Sequence, residues 1–294
     1  MAKLGWIGIG DIGMPMMVRL KEAGHDVSVW GRNKTRVAEA ERAGAKIAGS
    51  AAELARANEA VFLCVTDTVD VEEVVFGPNG IATTSRAGTL IVDHSTTHPT
   101  RTREIAQKMR ADGKGRWVDA PVSGGSMGAR AGTLAVMVGG EAQDVEAVRP
   151  WLSAYGGKIT HIGGSGAGQA SKACNQAIAN ATIMVWAEMI AYARSFGLDL
   201  DKFVEATEGG FADSLVRRVH VPNIASGAYP GHYVSVIPKQ LDIVCDVARV
   251  LQTPIPLTSM VTSLYRQHQM LQARSATQVG IVDLFQKPRK DAES

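Results

Sequence analysis

The segment GSGAGQASKACNQ, residues 164–176, carries Lys172 through one of the least charged parts of the chain. Across residues 159–187 it is the only Asp, Glu, Lys or Arg. No proline or glycine follows Gly168 until Gly197, so the stretch reads as one long helix. A helix this apolar is usually buried, and burying an ammonium costs several kcal/mol, roughly, unless the group is paired or put to use. Desolvation and the positive end of its own helix both draw a lysine pKa down toward neutrality, where it exchanges protons at physiological pH. That is what a general acid or base at a carbonyl or an alcohol requires. Asn175 and Gln176, three and four positions on, share the same helical face. Either amide can donate to a reacting oxygen.

A second constellation is DAPVSGG, residues 119–125, where a strand-like run ends in Ser123, Gly124 and Gly125. A hydroxyl and free backbone amides at one point form a nest suited to a carboxylate; the same string also reads as a plain strand-ending turn. If the Lys172 cluster meets the Ser123 loop at a cleft between two domains, the result is a small-molecule site.

The third is GIGDIG, a GxGxxG at Gly8, Gly10 and Gly13, directly after strand-like residues and before a helix expected to begin near Met14. In that context the glycines permit a tight turn and close backbone approach, and the helix N-terminus offers amides to a pyrophosphate. The acid that would bind ribose hydroxyls about 20 positions on is missing. VSVWGRNKTR places Arg32, Asn33, Lys34 and Arg36 there instead, a set suited to an anionic 2′-phosphate, which favours NADP(H) with NAD(H) still open. A solvated basic turn is the plainer alternative. CVTD, with Val65 and Thr66, and HSTTHP, with Thr96, fall at further strand ends. His94 abuts a buried strand and is expected to be structural. No His, Asp or Glu cluster calls for a metal.

These groups need a scaffold. Up to about residue 163 the chain alternates KLGWIGIG, HDVSVWG, AVFLCVT, GTLIVDHS, RWVDAPVS and GTLAVMVGG with helical stretches, the rhythm of βαβ units and a largely parallel sheet. Beyond it, KQLDIVCDVARVL sets Leu241, Val244, Ala248 and Leu251 on one helical face, and SMVTSLYRQHQMLQ has a similar pattern. The expected fold is α/β: a Rossmann-type doubly wound sheet over residues 1–163, then an all-helical domain over 164–294, joined by a long helix at about 167–195. The tail KPRKDAES is expected to fray.

Composition narrows the class. The chain has 294 residues, 45% hydrophobic and 20% charged, a net charge of +2 and no dense basic stripe, which argues against a nucleic-acid partner. Three separated cysteines give neither a disulfide framework nor a zinc site. Glycine loop and strand begin at once, so the reading expects no signal peptide and a cytoplasmic protein. Residues 177–193 are apolar, but Asn180, Thr182 and Glu188 interrupt them, and no membrane span is expected.

Four motifs in order, IGIGDIGMPM, DAPVSGG, GAGQASKACNQ and IPKQLD, resemble the β-hydroxyacid dehydrogenases, the family of 3-hydroxyisobutyrate dehydrogenase and tartronate semialdehyde reductase, over nearly the whole chain. The resemblance implies a catalytic lysine at Lys172, and a substrate carboxylate gripped by Ser123, Gly124 and Gly125 with help from Thr96. It also implies a lysine near the nicotinamide at Lys239, and a helical domain that assembles a homodimer or homotetramer. The cofactor set then comprises Gly8, Gly10, Asp11, Ile12, Gly13, Arg32, Asn33, Arg36, Val65, Thr66, Thr96 and Lys239. Three departures stand out: Ile12 behind an acidic Asp11 in the first motif, Gln176 where asparagine is frequent, and Gln240 where aspartate usually follows the lysine. The function implied is NADP(H)-dependent interconversion of a small 3-hydroxy acid and its semialdehyde or 3-oxo acid. The alternatives are a dehydrogenase of a β-hydroxy amino acid of serine or threonine type, an imine reductase, and a non-catalytic NADP-binding interaction protein.

Overall fold

Strands β1 (Lys3–Ile7), β4 (Ala60–Leu63) and β5 (Leu90–Asp93) lie at the middle of a nine-stranded sheet. They are buried at nearly every position, which is why each reads as a continuous apolar run rather than an alternation. The other strands are β2 (Asp26–Trp30), β3 (Lys46–Ile47), β6 (Arg116–Asp119), β7 (Val122–Ser123), β8 (Leu134–Gly139) and β9 (Gly156–Gly163). Their order is β3-β2-β1-β4-β5-β6-β8-β7, with β9 paired to β8. The first six run parallel; β8 is antiparallel to both β6 and β7 and parallel to β9. Chain direction through the sheet reverses between β1 and β4, the switch point where the carboxyl ends of parallel strands open a crevice.

The structure, a computed structural model, describes residues 1–228, 236–272, 277 and 279–286, and the segment KPRKDAES lies outside the described residues. The chain divides into two units, Met1–Lys172 and Ala173–Ser294.

In the first unit the helices α1 (Gly13–Glu22), α2 (Lys34–Arg42), α3 (Ala51–Ala57), α4 (Thr68–Phe76), α5 (Pro99–Ala111), α6 (Gly125–Ala131) and α7 (Ala142–Leu152) follow the strands. Alternation along the strands builds two cores. Phe62 and Val92 pack with Met16 and Leu20 of α1 and Val148 of α7. Their chain neighbours Val61, Leu63 and Ile91 join Leu54 of α3, Val75 of α4 and Ile105 of α5. The sheet is thus covered on both faces, the doubly wound α/β arrangement.

Two strands carry no sequence signal. β3 is two exposed residues, and β9, GGKITHIG, is mostly exposed and has neither an apolar run nor an alternation. Pairing with β8 defines β9, so it is visible only in three dimensions.

The long helix α8 (Ala167–Phe196) carries the chain into the second unit, where α9 (Leu200–Ala206), α10 (Leu215–Ser226), α11 (Val236–Val250) and α12 (Pro256–Gln272) follow. Ile183, Ala187 and Ile190 of α8 pack with Val221 and Ile224 of α10, Leu241 of α11 and Tyr265 of α12. The expected stripe on α11 needs one correction. Leu241 and Ala248 are buried and Val244 half-buried, but Leu251 is 67% exposed because the helix ends at Val250 and the chain turns away. The buried stripe starts earlier, at Ile237. Among the described residues no helix is long and apolar enough to cross a membrane.

Leu241→Ala should therefore destabilise the protein by about 2–5 kcal/mol in urea unfolding, as core truncations do. Leu251→Ala should change stability by less than about 0.5 kcal/mol. Equal losses would contradict the packing of α11.

Candidate active site

Lys172 is 7% exposed in the second turn of α8, and burial pulls its amine from the ordinary lysine value down to about 8. What holds the start of α8 is a carboxylate from the sheet. Asp119, at the end of β6 and fully buried, accepts from the backbone N–H of Gly166 at 2.8 Å and of Gln169 at 3.0 Å. A carboxylate here satisfies amides that the first helical turn leaves orphaned and complements the helix dipole. The approach is possible only with glycine. A Cβ on Gly139 would lie 2.7 Å from both carboxylate oxygens of Asp119, and one on Gly168 would lie 2.5 Å from the Met137 carbonyl.

Gln169 makes the second tie. Its side chain is 1% exposed; Oε1 accepts from Thr97 N at 3.0 Å and Nε2 donates to Ser95 O at 2.8 Å. This clamps the residues on either side of Thr96, leaving Thr96 half-buried between two buried neighbours. Asp93, paired in register with Asp119, accepts from Ser95 N at 2.9 Å, and Ser95 Oγ accepts from Val65 N at 3.0 Å. The carboxyl ends of β4, β5 and β6 and the first turn of α8 form one hydrogen-bonded set. Burial pushes the Asp93 carboxyl up to about 7 and raises that of Asp119 as well.

His94 is structural, as expected. Its Nδ1 lies 2.6 Å from the Ala120 carbonyl, which can only accept, so Nδ1 carries the proton and Nε2 accepts from the Tyr155 hydroxyl at 2.9 Å. Burial pulls its pKa down to about 4, so the ring is neutral at physiological pH.

The glycine loop separates fold from ligand. Gly8 has φ +95°, and a Cβ there would sit 2.2 Å from the Cys64 carbonyl; one on Gly13 would sit 2.0 Å from the Gly8 carbonyl. Both are therefore needed by the protein itself. Gly10 meets nothing within 4 Å and has no positive φ, so neither packing nor backbone geometry asks for glycine there. A backbone kept bare toward open space is what close approach of a pyrophosphate requires. The residues present fit a dinucleotide. The Trp6 indole N–H, buried in the core, donates to the Gly8 carbonyl at 3.0 Å and holds the loop from below. A cavity of about 320 Å³ adjoins the loop, bordered by Gly10, Asp11, Arg36 and Arg130. Ile12 is half-buried against the core.

At the end of β2, Arg32 pairs with Asp70 and, at 3.3 Å, with Glu73, while Arg36 pairs with Asp11 at 2.7 Å. Asn33 caps α2, its side chain accepting from Arg36 N at 3.1 Å. The acidic Asp11 is thus matched by a cation. Thr66 is exposed at the end of β4. Ser123 is half-buried on β7, with Gly124 (φ +131°) and Gly125 (φ +63°) exposed after it. Such angles suit glycine and turn the backbone sharply into α6.

In the second unit the third and fourth motifs meet. Gln176 Nε2 donates to Gln240 Oε1, Asn175 Nδ2 lies 3.5 Å from Gln176 Oε1, and Asn180 Nδ2 donates to the Gln176 carbonyl at 2.8 Å. Two departures from the family pattern, Gln176 and Gln240, are therefore the two ends of one hydrogen bond. Lys239 is exposed beside it on α11.

Sequence reasoning missed the supporting groups Asp93, Ser95, Asp119 and Gln169. The one available signal was polar residues embedded in otherwise apolar strand ends and at the glycine-rich start of α8.

The profile of the NAD binding domain of 6-phosphogluconate dehydrogenase matches residues 3–163. That described as NAD-binding of NADP-dependent 3-hydroxyisobutyrate dehydrogenase matches residues 166–285. The 2-hydroxy-3-oxopropionate reductase of Escherichia coli (strain K12) is 36% identical over 264 residues, covering 90% of each chain. A solved structure of Mycobacterium tuberculosis 3-hydroxyisobutyrate dehydrogenase with L-serine superposes with a TM-score of 0.87 at 27% identity, covering 98% of this chain and 100% of the other. Psf3 in complex with NADP+ and 2-OPP superposes with a TM-score of 0.86 over 96% and 99% of the two chains; at 24% identity that likeness concerns the fold.

Because Asp93 binds its proton more tightly when folded, its contribution to stability is complete below the ordinary carboxylate range and is lost as pH rises through about 7. Asp93→Asn keeps an oxygen toward Ser95 N but cannot ionise. Guanidinium unfolding at about pH 5, 6, 7 and 8 should show the stability difference moving in the variant's favour up to about pH 7 and levelling above it. A difference that does not change with pH would mean that Asp93 is ionised throughout.

Proposed function

The chain belongs to the β-hydroxyacid dehydrogenase family of oxidoreductases, and on that premise we propose that it is an NADP(H)-dependent enzyme interconverting a small 3-hydroxy acid and its semialdehyde or 3-oxo acid. The observation that carries the reading is Lys172: an amine buried at the start of α8, with burial bringing its pKa to about 8. A substrate of the tartronate semialdehyde type is favoured, because the Escherichia coli relative is named for the reduction of 2-hydroxy-3-oxopropionate, an acid of this class.

A bound nicotinamide supplies the hydride in reduction and accepts it in oxidation. The chain's own residues handle the proton and the substrate. Lys172, as an ammonium, gives its proton to the oxygen that becomes the hydroxyl; as a neutral amine it takes that proton back in oxidation. The Ser123 hydroxyl and the amides of Gly124 and Gly125 orient the carboxylate, with the Thr96 hydroxyl assisting. Asn175 or Gln176, neighbouring amides on α8, holds the reacting oxygen. Gly8, Gly10 and Gly13, with Arg32 and Arg36, would hold the dinucleotide, and Lys239 is the residue that the family pattern assigns to its nicotinamide.

An apolar stripe on α8, with Ile178, Val185, Tyr192 and Phe196 all more than half exposed, supports self-association of the helical unit into a homodimer or homotetramer. Sedimentation equilibrium reads this directly, and a monomer would refute it. Three free cysteines, Cys64, Cys174 and Cys245, support a reducing cytoplasm as the working environment. A second reading, oxidation of a β-hydroxy amino acid, is favoured by the presence of L-serine in the Mycobacterium tuberculosis structure.

The purified protein, given NADPH or NADH, should reduce 2-hydroxy-3-oxopropionate and related semialdehydes faster than cyclic imines; the reverse order would make it an imine reductase. Lys172→Ala should lower kcat by about 10²- to 10⁴-fold, the scale of general acid–base catalysis, and unchanged turnover would refute the mechanism. In the wild type, kcat/KM for oxidation should rise with pH and level above about 8, while that for reduction falls above about 8.

A further inference from the structure

The two arginines placed to meet a 2′-phosphate are already covered by carboxylates. Arg32 Nη2 bonds Asp70 and Nη1 lies 3.3 Å from Glu73, both on α4. Arg36 Nη2 lies 2.7 Å from Asp11 of the glycine loop, and Nη1 lies 3.2 Å from Glu39 of its own helix. Four acids thus face two guanidiniums, with Lys34 exposed at the head of α2 as the further cation of the turn. The pairs are built unequally. The Asp70 side chain is 18% exposed, and its backbone N–H is fixed by the capping Asp67 carboxylate at 3.1 Å, whereas Glu73 and Asp11 are open to water.

We infer that Asp70 and Asp11 determine the choice between NADP(H) and NAD(H), by competing with a 2′-phosphate for Arg32 and Arg36. The inference rests on the dinucleotide reading of the glycine loop and deepens it. A phosphomonoester on the ribose draws on the same guanidiniums that the two carboxylates engage through Nη2, and it meets their charge as it arrives. A ribose hydroxyl demands neither displacement nor charge matching, and it can donate to a carboxylate. The arginines alone favour the phosphate; their built-in partners reduce that advantage. This chain therefore discriminates between the two cofactors less sharply than its basic turn suggests.

The test separates the phosphate from the rest of the cofactor. Calorimetry with 2′,5′-ADP and with 5′-AMP gives the ratio of their affinities for the wild type, Asp70→Asn and Asp11→Asn, each an isosteric change that removes one charge. The expected result is a ratio shifted toward 2′,5′-ADP by about 2- to 5-fold in each variant, at most the scale that exposed ion pairs carry. The double variant should approach the product, because the two acids act on different arginines. A ratio that stays put or falls in both single variants overturns the inference, and is the outcome if the acids serve only to orient the arginines for the phosphate. A wild type that binds neither nucleotide overturns the dinucleotide reading itself and the inference with it.

Discussion

A carboxylate that never reaches water holds the start of the longest helix. Asp119 ends β6 inside the protein and takes the first amides of α8, at 2.8 and 3.0 Å. The strand ends nearest α8 are referred to that contact. It sets where α8 leaves the sheet, and hence where Lys172, one turn further on, emerges. Gly139 and Gly168 exist for the same contact, because any side chain there would occupy the space between carboxylate and helix. The cost of burying the charge is offset by the orphaned amides and the helix dipole, groups that would otherwise be unsatisfied in the same place.

Gln169 extends this anchor sideways. By clamping residues 95 and 97 it ties the loop after β5 to the helix, and through Ser95 the loop after β4 is tied in as well. The opposite flank is organised by Trp6, which stacks on Phe62 at 5.5 Å and on His94 at 5.8 Å while its N–H supports the glycine loop. The polar groups at the strand ends are thus fixed from beneath by the core rather than left on free loops. Such support is what precise placement of reacting groups needs.

Charge is managed differently in two parts of the first unit. Near Lys172 it is suppressed by burial, which brings an amine and a carboxyl, Asp93, close to neutral-pH titration. Around Arg32 and Arg36 it is left in water and balanced by acids from three different segments. Burial moves titration toward neutral pH, whereas charges left in water are screened and weakly held.

Much of this was legible in one dimension. Lys172 stood out because a charge in an apolar helix is anomalous within a dozen residues of sequence, and the continuous apolar runs of β4 and β5 announced a sheet covered on both faces. The roles of Asp119 and Gln169 were not legible, since they are defined by partners 47 and 72 residues away. β9 was hidden for the same reason: a mostly exposed strand is recognised by its pairing, not its composition. Residue type and local period determined which groups this protein owns and which elements carry them. Only the tertiary structure decided which glycines the fold itself requires, that the basic turn is matched by acids, and that Gln176 and Gln240 form one pair. Each of these is a relation between distant segments, and local propensity carries no information about such relations.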